Sequence, residues 1–268
     1  MIISEKERIN KNKRCPKKVA DSADLPSAGF DHHYDYVIGE EMLETFYVPM
    51  LKNALRYDRV AGYFSSSVFS HASAGFAKFC SRAIEDGFTT LPRVRLMVGA
   101  RLNHIDENIV LGMESSEILE DEALIMIEEM RGEIEKLESE ERIIEAHFAK
   151  SRFSGLSWML EKGILEIKVG ARYDPNTNMI LPHQEAEFHP KFGIVSDGDN
   201  EMYFGGSANE TRRAWLDNYE TIDVSRSWEG EDTTISTYKS KFEELWGNNR
   251  TTKGVLVLDF PQAAKNKM

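Results

Sequence analysis

Between Glu187 and Glu220 the chain reads EFHPKFGIVSDGDNEMYFGGSANETRRAWLDNYE, and its chemistry-bearing residues concentrate there. His189 and Lys191 are two apart, so on an extended segment both side chains project to one face. Phe188, Phe192 and Ile194 alternate with them and are expected to point into the core, with Gly193 leaving room for a ligand. Pro190 cannot donate a ladder hydrogen bond, which places it at an edge or a bulge. SDGDNE is a tight turn. The returning strand ends in Gly205, Gly206, Ser207, Ala208 and Asn209. Here two glycines are expected to let the backbone approach a ligand, and Ser207 and Asn209 to offer donors beside the start of a helix in NETRRAWL. A neutral imidazole, an ammonium, a hydroxyl and an amide on one face suit a phosphoryl group. The imidazole attacks or carries a proton, and the donors stabilise the charge that develops. Glu220 is placed to accept from the second imidazole nitrogen and fix its tautomer.

Each piece has a plainer explanation. His-X-Lys is ordinary on a surface hairpin, and Ser-Ala-Asn is an ordinary helix cap. Their combination in this order, followed by DNYE, is much harder to reach by accident. A metal site is the competing chemistry, since His183, Glu185, Glu187 and His189 would share one face of a strand. That spacing fits no zinc motif and leaves Lys191 unexplained, so neither metal nor other cofactor is expected.

The elements that must hold these residues alternate between helix and strand. EEMLETFYVPMLKNA reads as a helix kinked or divided at Pro49, and DRVAGYFSSS as a strand ending in a serine-rich turn. VFSHASAGFAKFCSRAIEDG has helical spacing, with Phe69, Phe76, Phe79, Ala83 and Ile84 near one face and Gly87 as terminator. VRLMVGARL is apolar enough to be a strand buried on both faces. SGLSWMLEKGILEIKVGARYD gives a helix with Trp158 and Leu160 inward, a stop at Gly163 and a strand over 164–169. LPHQEAEFHPKFGIV and MYFGGSAN form a hairpin, YETIDVSR is a strand, and DTTISTYKSKFEELWGNN is an amphipathic helix. Helices between strands define an α/β class.

Residues 1–30 read as a disordered basic arm, 31–260 as the folded domain, and 261–268 as a tail leading towards a further domain. Within the domain, 114–150 reads as a long acidic helical insertion carrying one apolar stripe. That stripe would lie across the domain or serve self-association.

Net charge of −12 argues against a polyanionic partner until its distribution is considered. Residues 114–145 hold thirteen acidic and three basic side chains, a local −10, which leaves about −2 for the rest. The first twenty residues carry +5. Local fields therefore leave nucleic acid open as a partner. Arg212, Arg213, Arg172, Arg101 and the arm are the candidate phosphate contacts. There is no apolar run long enough for a membrane span and no secretory leader. Two cysteines, Cys15 and Cys80, make no disulfide framework. These features point to the cytoplasm and away from membranes.

On the His189-Pro190-Lys191 and Gly206-Ser207-Ala208-Asn209 blocks and the later Glu220, the chain resembles the phospholipase D-like superfamily. The Asp of that motif departs from its usual spacing. Ser196 stands four residues after Lys191, and Asp197 one further. GYFSSSVF, VRLMVGARL and LSWMLEKGILEIKV also look like the frame of bacterial members attached to helicase or restriction-defence proteins. The resemblance implies a phospholipase D-like fold, a mixed sheet flanked by helices with the acidic helix inserted. It implies a metal-independent phosphodiesterase, a nuclease acting on DNA before RNA through a phosphohistidine, with a role in restriction or anti-phage defence. By the same resemblance His189 is nucleophile or acid, and Lys191 and Asn209 clamp the anion. Ser207 is a secondary donor, Glu220 orients the histidine, and Gly205, Gly206, Arg212 and Arg213 bind substrate. The chain has no second His-X-Lys, so a homodimer with two copies of His189 facing each other is expected. A helicase domain or subunit is a further expected partner. The alternative is an inactive phospholipase D-like module that binds nucleic acid or another protein.

Overall fold

The computed structural model describes residues 23–37, 40–65, 67–91, 93–99, 152–177, 179–181, 185–247 and 254–259. The expectations for residues 1–22, for the acidic insertion at 114–150, for the tail at 261–268 and for Cys15, Arg101 and His183 lie outside the described residues.

Among the described residues, nine strands form one mixed sheet. They are β1 (His33–Tyr36), β2 (Arg56–Ala61), β3 (Val94–Gly99), β4 (Leu165–Asp174), β5 (Met179–Ile180), β6 (Phe192–Ser196), β7 (Glu201–Gly206), β8 (Glu220–Arg226) and β9 (Val255–Asp259). Their order is β1-β8-β7-β6-β2-β3-β4-β5, with β9 also pairing β4. β2, β3 and β4 run parallel, as buried β-branched strands joined through helices do. β6, β7 and β8 are antiparallel, the natural outcome of two short returns. The two halves meet where β6 lies antiparallel to β2.

Helices cover both faces. On one side lie α1 (Glu40–Met42), α2 (Val48–Asn53), α3 (Ser67–His71), α4 (Ser73–Glu85), α5 (Arg152–Glu161) and α6 (Arg212–Leu216). Their side chains share a core with alternate residues of the strands: Tyr57 of β2, Leu96 of β3, Ile167 of β4 and Phe204 of β7. The other face is covered by α7 (Asp232–Trp246), whose Phe242, Leu245 and Trp246 pack on Val60, Met97, Phe192 and Ile194. The period of two along each strand thus sorts its residues between two cores. Phe69, Phe76, Phe79 and Ala83 are buried as their spacing predicts, and Gly87 and Gly163 turn left-handed as terminators.

Three expectations change. Residues 23–30 are not the end of a disordered arm: Leu25 and Phe30 are buried, and the Leu25 amide donates to Asp197 Oδ2 at 2.8 Å. Pro49 stands in the first turn of α2, and the irregularity falls just before it, as a π-helical segment over Leu43–Tyr47. A proline tolerates a helix start, and the wider turn upstream absorbs its missing donor. Thirdly, the strand expected through LPHQEAEFHPKFGIV begins only at Phe192. Pro190 has no amide to offer the ladder, so His189 and Lys191 occupy an unpaired approach to the strand.

Candidate active site

Strand directions bring four chain segments to one end of the sheet. They are the turn after β2 (62–65), the approach to β6 (187–191), the loop after β7 (207–210) and the entry to β8 (218–220). This is the carboxyl end of β2, beside the switch from parallel to antiparallel pairing, where open α/β sheets place ligands.

His189 and Lys191 come together there. Lys191 Nζ lies 2.9 Å from His189 Nδ1 and 3.2 Å from Nε2, and donates to the His189 carbonyl at 3.2 Å. The imidazole rests on Gly62, where a methyl group would stand 2.4 Å from the ring carbon Cδ2, so only glycine admits it. Tyr63 meets the ring edge-on at 5.3 Å between centroids, and its hydroxyl donates to Glu187 at 3.0 Å. Partial burial lowers the His189 pKa below 6.5, and the Lys191 ammonium lowers it further against an opposing pull from Glu187. Lys191 is itself lowered, first by burial and then by Arg59, while Glu220 and Glu187 oppose the shift. A neutral imidazole beside a cation held ready for an anion is the electrostatic result.

Asn209 stands at the same end of the sheet, in the loop after β7. The Tyr63 amide donates to Asn209 Oδ1 at 3.1 Å, which leaves Nδ2 as a donor to spare. Beneath the loop, Arg59 and Glu210 form a buried pair, with Arg59 also donating to the Ala208 carbonyl. Neither was singled out from the sequence. The available signals were an arginine inside the apolar run DRVAGYF and a glutamate immediately after the Gly-Ser-X-Asn block.

Other expected roles shift. Ser207 Oγ donates to Glu220 and accepts from the Thr221 amide at 3.0 Å, so its one proton is committed within the protein. Glu220 accepts from Ser207 and from Asn218 Nδ2 at 3.1 Å, where the sequence reading had it accept from the imidazole. It still lies close enough to Lys191 to favour the ammonium. Gly205 and Gly206 serve packing: a methyl would strike the Tyr203 hydroxyl at the first and the Thr221 carbonyl at the second. Gly193 leaves no room for a ligand, because the Phe204 ring fills the space over it. The cap of α6 is Thr211, which accepts from the Ala214 amide, so Ser207 and Asn209 stand before the helix and not on its first turn. Arg212 pairs with Asp217 at 2.9 Å, and Arg213 is exposed on α6. Arg172 lies on β4, two strands from β2. Asp197 sits at the opposite end of the β6–β7 hairpin.

Residues 159–246 match the family model for the cardiolipin synthase, PLD-like domain. The chain holds a phospholipase D-like domain. The matched span runs from the end of α5 to the end of α7 and contains every motif residue from His189 to Glu220; β2 and the turn after it, which supply Arg59, Gly62 and Tyr63, lie outside it. No curated protein matches the chain. Among solved structures, NucT from Helicobacter pylori is similar with a TM-score of 0.43 and 14% identity, covering 80% of this chain and 95% of that one. TrmBL2, an archaeal chromatin protein with a novel mode of DNA binding, has a TM-score of 0.33 and 14% identity, covering 82% of this chain and 54% of TrmBL2. Likenesses of that size carry no functional weight. No helix among the described residues is long and apolar enough to cross a membrane. Among them, no group of three or more His, Cys, Asp or Glu is arranged to hold a metal ion.

Proposed function

We propose that the protein is a phosphodiesterase of nuclease type that uses His189 as nucleophile and works without a metal ion. The observation that carries this reading is the juxtaposition of a pKa-lowered imidazole, the Lys191 ammonium and an uncommitted Asn209 amide at one sheet end, within a phospholipase D-like domain. An imidazole nitrogen attacks phosphorus, and the P–N bond forms as the P–O bond to the leaving group breaks. Lys191 and Asn209 hold the non-bridging oxygens as charge accumulates. A second imidazole gives its proton to the leaving oxygen. Water then displaces the histidine, losing its proton to that second imidazole.

The chain has no second His-X-Lys, so the second imidazole is supplied by another copy of the chain across a two-fold axis. Glu220 acts through Ser207, holding the loop after β7 to β8, and balances the charge of Lys191. Nucleic acid is the favoured substrate, DNA before RNA, with Arg213 and the basic residues of the N-terminal stretch as phosphate contacts. A domain of this kind serves restriction or defence, alongside a helicase domain or subunit.

The test is cleavage of labelled single- and double-stranded DNA and RNA in EDTA, wild type beside His189→Ala. Acid quenching of a single turnover is expected to trap phosphorus on the wild-type protein alone. Cleavage that needs a metal, or that survives the substitution, overturns the reading. Sedimentation of the active species tests the composite site: a fully active monomer excludes it. Binding without cleavage by either protein favours an inactive nucleic-acid module.

A further inference from the structure

The buried ion pair under the loop after β7 has no part in the steps above. Arg59 and Glu210 keep only 1% and 3% of their side-chain surface exposed and meet Nε to Oε1 at 2.6 Å. Arg59 Nη2 donates to the Ala208 carbonyl at 2.7 Å, and its guanidinium lies over the Phe204 ring at 5.0 Å. Glu210 Oε1 also accepts from the hydroxyls of Tyr57 at 3.1 Å and Tyr47 at 3.4 Å. The Glu210 carbonyl accepts from the Ser65 amide at 2.8 Å. A buried ion pair is a weak means of stabilising a fold, since apolar residues of equal volume often serve as well or better. Apolar residues would not grip the Ala208 carbonyl, nor place a permanent charge under the site.

We infer that Arg59 and Glu210 are positioning residues for the phosphoryl site, locking the loop from Ser207 to Glu210 onto β2 and so setting where the Asn209 amide stands relative to His189 and Lys191. The rate part of this inference rests on the phosphodiesterase reading; the geometric part does not. The groups facing Lys191 are His189 and Glu187 from its own segment, Arg59 from β2 and Glu220 from β8. Burial lowers Lys191 most, Arg59 next, and the two carboxylates oppose them. Removing Arg59 therefore raises the Lys191 titration midpoint, an effect that a purely structural pair would not produce.

The experiment compares the full chain with Arg59→Met/Glu210→Leu and with Arg59→Lys. Each is followed by thermal unfolding, by NMR titration of the Lys191 ammonium, by the Asn209 side-chain amide signals and by single-turnover cleavage. The double variant removes buried charge while keeping volume. It is expected to fold, to raise the Lys191 midpoint, to shift the Asn209 signals and to slow cleavage about 10²-fold through misplacement. Arg59→Lys keeps the charge but loses the two-armed grip, so the Lys191 midpoint stays while the Asn209 signals move and the rate falls. A folded double variant with wild-type Lys191 midpoint, Asn209 signals and rate overturns the inference. If the double variant does not fold, unchanged Asn209 signals in Arg59→Lys overturn it instead. If the wild type cleaves nothing, the phosphodiesterase reading falls, and the two NMR readouts still decide this inference.

Discussion

The two ends of the β6–β7 hairpin use the same kinds of residue to opposite effect. At the turn, the Asp197 carboxylate accepts from the amides of Asp199, Asn200 and Leu25 and from Asn200 Nδ2, at 2.7 to 3.1 Å. Its hydrogen-bonding capacity is satisfied inside the protein, and it ties the Leu25 segment to the hairpin. At the other end, among the described residues, the Asn209 side chain is fixed through its oxygen alone, and the Lys191 ammonium has only an imidazole and a carbonyl as hydrogen-bond partners. Saturated polar groups build a fold, whereas fixed but unsaturated ones await a ligand. The motif Asp thus reads as architecture, at the far end of the strand from Lys191, roughly 20 Å away at about 3.4 Å per residue.

Substitutions can break that contrast or sharpen it. The largest effect is expected from His189→Ala, which should reduce turnover to background while the thermal midpoint stays near wild type. Lys191→Ala and Asn209→Ala should follow, each lowering kcat by about 10²–10³-fold as a lost oxyanion donor does, again with little change in unfolding. Asp197→Ala should invert the pattern. Stranding the buried Leu25 amide and undoing the turn is expected to cost about 3 kcal/mol in urea unfolding, with kcat of the folded fraction preserved. If Asp197→Ala instead lost activity at unchanged stability, the division between the two ends would be wrong.

Smaller effects probe the electrostatics. Arg213→Ala should leave kcat intact, weaken nucleic-acid binding a few-fold and reduce the salt slope by about 1. The smallest is a displacement along the pH axis. Because burial and Lys191 hold His189 below 6.5, the neutral imidazole persists at neutral pH, and the acid limb of kcat/KM should fall below 6.5. In Lys191→Ala the NMR titration of His189 should move up towards 6.5, since the repelling ammonium is gone. A downward movement would contradict the geometry of the pair.

Much of this was legible in residue order. Period-two alternation placed Phe188, Phe192 and Ile194 in one core, and the apolar run at β3 announced burial on both faces. That His189, Lys191 and Asn209 come to one end of the sheet was legible because a single hairpin joins their segments. Glycine roles were misread because a glycine in a sequence does not say what occupies the space it leaves. Phe204 fills it at Gly193, the Tyr203 hydroxyl at Gly205, and the Thr221 carbonyl at Gly206.

The sequence by itself determined the α/β class, the hairpin and the supply of an imidazole, an ammonium and an amide within one short stretch, since these depend on local periodicity and side-chain chemistry. Tertiary structure alone decided the partners. It gave Glu220 to Ser207 and Asn218, set Asn209 against Tyr63, and slid Arg59, 151 residues away in sequence, under Glu210. Such pairings come from strands brought together across the sheet, β2 against β6 and β7 against β8, and no local pattern encodes which distant strand will be the neighbour.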